Sequence, residues 1–394
     1  MPAIVYHRVG ARVAYQRRLA SLTQAELASA AAIALGTLRK IERDERGASD
    51  AVLDAIADAL GIDPSELLPG TGRPDDRVHQ AMPALSEVIA TYDMPDDGPV
   101  RPLRQLRDAV DEAVRWRLAA QYVRITRHVP ALLAELSRAL HTAPPADRAA
   151  VAALLVSAYR AADAVAYKYG ARDLSARLID LMRWTAPHAE DPLLDAAVAY
   201  VRTETFFAAR AHEAGLRALE QAADAALRRN DTATLAARGA LHMRAAVIAG
   251  RAGQAATAET HLDEARALGD RVPEATYGGT AFGPDSVRIH EVSLAVSLGD
   301  AHAGRALSLA REWQPPVDLP AERRSGFYIE LARAQLWAGQ ADHAFESLKV
   351  ARRIAPQHTR EHRWVREDTA TLRRLKRADA ESLNNFAAWC RAGE

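Results

Sequence analysis

TQAELASAAAIALGTLRKIERD, residues Thr23 to Asp44, reads as two short helices joined by a tight turn. Thr23 suits the N-cap of the first. Its hydroxyl accepts a bond from an amide one turn on, and Glu26, three residues later, completes a capping box. Leu27 and Ala28 then face inward, and Ala31, Ala32 and Ile33 make the turn. In the second helix Leu38 and Ile41 lie three apart on the buried side, which leaves Leu35, Gly36, Thr37, Arg39 and Lys40 pointing outward. A short helix whose outer face carries small and basic side chains fits a DNA major groove.

The flanks extend the pattern: VGARVAYQRRLA precedes it and AVLDAIADALGIDPSELL follows. Residues 9 to 68 resemble the helix-turn-helix domain of the Xre/Cro/phage-repressor family, with LTQAELA and TLRKIER at its two central helices. The resemblance implies that Thr23 and Gln24 anchor the second helix on the DNA backbone and first bases. It places the recognition helix at Leu35 to Glu42 and pairs Arg17 with Glu42. Leu35, Gly36 and Thr37 then stand at base-reading positions, while Arg39, Lys40, Arg43 and Arg46 supply phosphate or base contacts. The sequence departs from the family pattern in three ways. Ala32 replaces the turn glycine, so the turn avoids positive φ or is strained. Ala34 replaces a capping Ser or Thr, which removes about 1 kcal/mol of capping. Leu35 and Gly36 bring no hydrogen-bonding group, leaving a thymine methyl to Leu35 and guanine to Arg39 or Lys40.

The chain's 394 residues allow two or three domains, and its zero formal net charge excludes a whole-molecule nucleic-acid polyelectrolyte. Charge is nevertheless segregated. Arg8 to Arg46 holds eight Lys or Arg against four acids, whereas Gly47 to Gly70 holds five acids and no base. A basic front with an acidic back presents one face to phosphate. The single cysteine, Cys390, excludes an internal disulfide and reads as packed in a last helix. The N-terminus lacks a signal-peptide pattern and no uninterrupted apolar run spans a membrane, which points to a cytoplasmic protein without membrane partners.

The expected fold is all-α. A five-helix lambda-repressor-like domain over residues 1–69 has helices near 9–20, 23–30, 34–42, 49–60 and 64–68, with Ser49 as a cap and Pro64 in a first turn. A linker over 70–101 carries a short helix near 77–91. Helices then follow near 102–119, 121–141, 147–169, 173–185, 191–210, 213–229, 232–250, 254–268, 284–298, 301–313, 320–338, 341–355, 359–377 and 379–392. Two of their pairs echo each other. Each first helix ends at an Ala-Gly (Ala252–Gly253, Ala338–Gly339), and each second carries Ala, Leu, Ala at matched places (Ala258, Leu262, Ala265; Ala344, Leu348, Ala351). The echo resembles the tetratricopeptide repeat, and residues 102–394 are read as an α-solenoid of such helix pairs with a concave inner face. TYGGTAFGPDSVRIH, Thr276 to His290, resembles a segment of bacterial regulators that join the two parts; it reads as a structured loop leading into a helix capped by Asp285. Its functional reading puts Tyr277, Phe282, Arg288 and His290 at an effector groove; the alternative is that its aromatics fill a gap.

Catalytic and nucleotide-binding signatures are missing: there is no P-loop, HExxH or nucleophile elbow. His358 and His362, four apart on an expected helix, read as a solvated face rather than a metal pair, and no cofactor is implied. The basic run Arg373 to Arg377 reads as a helix end complementing its dipole. The six Trp read as packing anchors. The arrangement resembles peptide-pheromone receptors, in which Asn side chains clamp a peptide, but only Asn230, Asn384 and Asn385 occur here. Two readings result. One is a regulator that binds operator DNA as a homodimer and senses a small-molecule, peptide or protein effector in the repeat groove. The other is a scaffold whose helix-turn-helix only dimerises or tethers.

Overall fold

The computed structural model describes residues 9–20, 22–45, 48, 50–60, 62, 67, 74–225, 229–375 and 380–392. The fold is all-α, with twenty α-helices and a single two-stranded hairpin among the described residues. Helices α1 (Val9–Leu19), α2 (Gln24–Ala30), α3 (Leu35–Glu42) and α4 (Asp50–Leu60) enclose a small core in which Val13, Leu27, Leu38, Ile41 and Ile56 are buried. The capping box forms: the Glu26 amide donates to Thr23 Oγ1 at 3.2 Å and the Thr23 amide to Glu26 Oε2 at 2.7 Å. The missing turn glycine is met by strain, with Ala32 held at φ 51°. Ala34 opens α3 without a side-chain cap bond. Ser49 and the expected helix at 64–68, apart from Leu67, lie outside the described residues.

The stretch expected as a linker carries a full helix, α5 (Pro74–Ala90), whose Val78, Leu85 and Ile89 join the large core of the helices that follow. These are α6 (Leu103–Leu118), α7 (Tyr122–Thr142), α8 (Pro145–Lys168), α9 (Arg172–Thr185), α10 (Pro192–Ala209), α11 (His212–Ala225), α12 (Thr232–Arg251) and α13 (Ala255–Gly269). After the hairpin come α14 (Pro284–Ser297), α15 (Ala303–Glu312), α16 (Ala321–Trp337), α17 (Ala341–Ile354), α18 (Pro356–Glu361), α19 (Arg363–Leu375) and α20 (Ala380–Cys390). From α6 to α16 the even-numbered helices stack on one another in turn, and the odd-numbered ones pack beside them as hairpin partners. This is the solenoid plan: one layer of each pair lines the inside. The two echoing pairs are α12–α13 and α16–α17. Gly253 and Gly339 end their first helices at φ 76° and 74°, the left-handed region that glycine enters without strain. The matched Ala, Leu, Ala residues of the second helices are fully buried.

Helix α8 is long and apolar enough to cross a membrane by length and composition, and it packs as the central helix of this core. The stack curls far enough for its ends to meet. The Val123 amide donates to Gln357 Oε1 at 3.1 Å, and Lys168 pairs with Glu322 at 2.8 Å.

Four local expectations are corrected. Residues 275–282 form a hairpin, β1 (Ala275–Tyr277) against β2 (Thr280–Phe282), turned by Gly278–Gly279, both at positive φ. Asp285 is not the cap of α14. Pro284 starts that helix, and Glu274 instead accepts from the Ser286 amide and hydroxyl at 2.8 and 2.6 Å. The helix expected over 359–377 is broken, because His362 is extended between α18 and α19. Among the Trp residues, Trp184 and Trp337 are exposed, so not all six are packing anchors.

Candidate functional site

Two groups of basic side chains are set by the fold, one outside and one inside. The outer group lies on α3. Its inner residues Leu38 and Ile41 fix its rotation, so that Arg39 and Lys40 are exposed and have no ion-pair partner among the described residues. Gly36 is open, Thr37 is partly covered, and Arg43 is exposed beside Glu45 at 3.1 Å. Leu35 is half-buried against the domain core, so it shows less of itself than the spacing suggested. Arg46 lies outside the described residues. Thr23 is exposed at the start of α2.

The brace behind α3 is more elaborate than a single pair. Arg17 grips Glu42 through Nε and Nη2 at 2.6 and 3.0 Å and also donates to the Leu22 carbonyl at 2.9 Å. Gln24 Nε2 donates to the same carboxylate at 2.7 Å. Glu42 is only 5 % exposed and Arg17 13 %. Gln24 therefore ties α2 to α3.

The inner group lines a half-open cavity of about 250 Å³ between the inner helices of the solenoid. Six cations face it: Arg117, Arg160, Lys168, Arg244, Arg251 and Arg323. Four carboxyl groups share the lining, Asp163, Glu204, Glu322 and Glu330. Burial pushes Glu330 up to about 7, against the pull of Ser293 and the nearby cations. Burial and the neighbouring Glu204 also raise Asp163 well above the ordinary carboxylate range. Burial opposes the ionisation of Glu322 too, but Lys168, His358 and Arg117 outweigh it and keep that group ionised. Burial, with Arg117 beside it, lowers Arg160 to about 9.

Of the residues expected at an effector groove, His290 lines this cavity, with Nδ1 2.9 Å from the Ser286 carbonyl and Nε2 3.0 Å from Arg323. Tyr277 lines an adjoining, more apolar pocket and donates to the Pro273 carbonyl at 2.8 Å. Phe282 is fully buried over Gly239, where any Cβ would meet its ring, so it fills a gap. Arg288 is exposed on α14 and stacks 5.6 Å from the Trp313 ring centroid. His358 and His362 are not a solvated face. Both line the cavity, and His358 is held to about 3 by burial and by Lys168. None of the six cavity cations was singled out by sequence reasoning. Each looks like an ordinary polar residue of an amphipathic helix, and only the curl of the stack brings them together.

Residues 13–67 match the helix-turn-helix family. They form an Xre/Cro-type helix-turn-helix domain. Such a domain is a DNA-binding fold. No curated protein matches the chain. Among solved structures, the chain is similar to Bacillus thuringiensis PlcR in complex with the peptide PapR7 and DNA. The identity is 15%, over 67% of this chain and 95% of that chain, with a TM-score of 0.28.

Proposed function

We propose that the chain is a cytoplasmic transcriptional regulator. In this reading it binds operator DNA as a homodimer through α3, and its helical domain receives an effector in the inner cavity. The observation that carries the reading is the outward, unpaired placement of Arg39 and Lys40 on a helix braced from behind by Arg17, Glu42 and Gln24. A recognition helix must be rigid relative to its domain yet open to phosphate and base edges, and α3 meets both needs. The homodimer follows from economy: a single eight-residue helix reads too few base pairs for useful discrimination. An effector that favours one arrangement of the dimer then alters the spacing of the two α3 helices and hence affinity. Thr23 and Arg43, beside α3, contact phosphate; Arg46 is proposed to do the same.

The test is binding of labelled genomic fragments at several salt concentrations, for the wild-type chain and for Arg39→Ala with Lys40→Ala. Removal of the two cations lowers affinity and flattens its salt dependence by about two counterions per protomer. Identical binding by the double variant removes α3 from the argument. One feature favours a second reading, the tethering scaffold: Leu35 is partly committed to the core and Gly36 has no side chain. That reading prevails where no fragment binds better than random DNA.

A further inference from the structure

The cavity cations are not matched by acids. Lys168 pairs with Glu322 at 2.8 Å, and Arg244 lies 3.7 Å from Glu204. Among the described residues, Arg117, Arg160, Arg251 and Arg323 have no carboxylate within ion-pairing distance. Their acceptors are neutral. Arg117 donates to the Gly279 carbonyl at 2.5 Å, and Arg160 to the Gly278 carbonyl and Thr280 Oγ1, each at 2.6 Å. Arg323 reaches Tyr200 Oη at 2.7 Å and His290 at 3.0 Å. Arg251 lies 4.5 Å from the Phe207 ring centroid. Arg117 is 7 % exposed, and its buried Nε has no acceptor at all.

Arg117 is buried without a counter-charge, which is costly, and the half-buried Arg160 and Arg323 and the exposed Arg251 face the same space, so a compensating negative charge there is favourable. We propose that the cavity binds a compact polyanion, a small molecule carrying more than one negative charge on phosphate or carboxylate oxygens, held by Arg117, Arg160, Arg251 and Arg323. The proposal rests on the reading of the helical domain as the sensing part. A volume of about 250 Å³ suits a small ligand rather than a peptide segment, and among the described residues no Asn or Gln amide lines it to pair with a peptide backbone. The Tyr200 and Phe207 rings are already stacked by Arg160, Arg244 and Arg251, which leaves a charged centre rather than an aromatic slot. Burial disfavours the ionised forms of Glu330 and Asp163, which weakens the counter-charge they offer. The same N–H groups hold the hairpin tip at Gly278 and Gly279, so an anion competes with the tip for Arg117 and Arg160.

The experiment is calorimetric titration of the full chain with inorganic phosphate, pyrophosphate and citrate, at ionic strength matched with sodium chloride and with acetate as control. The expected result is saturable one-to-one binding of pyrophosphate or citrate at least about tenfold tighter than acetate. The preferred probe tells phosphate chemistry from polycarboxylate. Arg323→Met and Arg251→Met lose that binding while melting close to the wild-type temperature, because neither side chain is in an ion pair among the described residues and neither is fully buried. Arg104→Met, on the exposed face of α6, retains it. Failure of all three probes to saturate the wild-type chain overturns the proposal, as does unchanged binding in both cavity variants. If Arg323→Met does not fold, Arg251→Met decides. A parallel measurement of DNA affinity with and without saturating anion separates the two readings. Anion bound with no change in DNA affinity sinks the effector role and leaves the anion site standing. DNA bound by a chain that takes no anion sinks the site alone.

Discussion

The outer face of α3 and the inner wall of the solenoid use the same side chains in opposite surroundings. On α3, Arg39 and Lys40 stand in water, where the field of each is screened within about 10 Å at ordinary salt. In the cavity, Arg117 is buried, Arg160 and Arg323 are half-buried and Arg251 is exposed, with neutral acceptors around the first three. The exposed pair costs little to keep and binds an extended polyanion weakly per contact, with strong salt dependence. The cavity set, partly withdrawn from water, costs more to keep and suits a small anion of the right shape. The two acids that anchor these regions differ too. Glu42 serves three donors inside a small domain, whereas Glu322 neutralises one lysine among many cations.

The largest effect that would break the comparison is expected at Glu42. Glu42→Ala strands Arg17 and frees Gln24, and costs the N-terminal domain about 3–4 kcal/mol. Hydrogen exchange should show the loss in α1 to α3 with α6 to α17 unchanged; protection unchanged in α3 would mean the brace is not structural. Glu322→Ala leaves Lys168 beside His358 without its counter-charge and costs about 2–3 kcal/mol, read as a lower midpoint of denaturation of the helical domain.

Legibility followed the range of the interactions. The N-terminal domain was readable because its signals are local: the Thr23–Glu26 box, the inward Leu27, Leu38 and Ile41, and the two misfit alanines. Arg17 with Glu42 came from the family resemblance. The Ala-Gly ends of α12 and α16 were equally local. The hairpin had a local signal as well, a Gly-Gly between Tyr277 and Thr280, but strands of three residues are too short to show alternation. The break at His362 has no local marker. The cavity was invisible because its cations come from residues 117 to 323, and their meeting depends on the curvature accumulated over many helix pairs.

A smaller effect sharpens the contrast through pH. The buried His358 has its folded-state value depressed to about 3 from an ordinary 6.5, so its stabilising contribution is present above 6.5 and is lost as pH falls toward 3. Glu330 behaves oppositely. Its folded-state value is raised from 4.5 to about 7, so its contribution is full below 4.5 and is lost as pH rises through 7. Each slope is about 1.4 kcal/mol per pH unit at most, and the two partly cancel between 4.5 and 6.5. Relative to wild type, His358→Gln should gain stability as pH falls below 6.5, and Glu330→Gln as pH rises from 4.5 to 7. Parallel profiles for variant and wild type would show that these groups are not buried in solution. The smallest expected effect is at the turn before α3. Ala32→Gly relieves the positive φ at the cost of a freer unfolded chain, for a net gain of about 0.5–1 kcal/mol in the melting of the N-terminal domain.

The bond from the Val123 amide to Gln357 joins positions 234 apart in the sequence. An open array of helix pairs tolerates trimming from its end one unit at a time, each loss proportionate to the unit removed. A clasped array does not. Removing the chain from Pro356 onward would unlatch the first pairs as well as the last, so shortened forms should lose cooperativity abruptly. The latch also ties folding of the whole domain to its slowest, most distant contact.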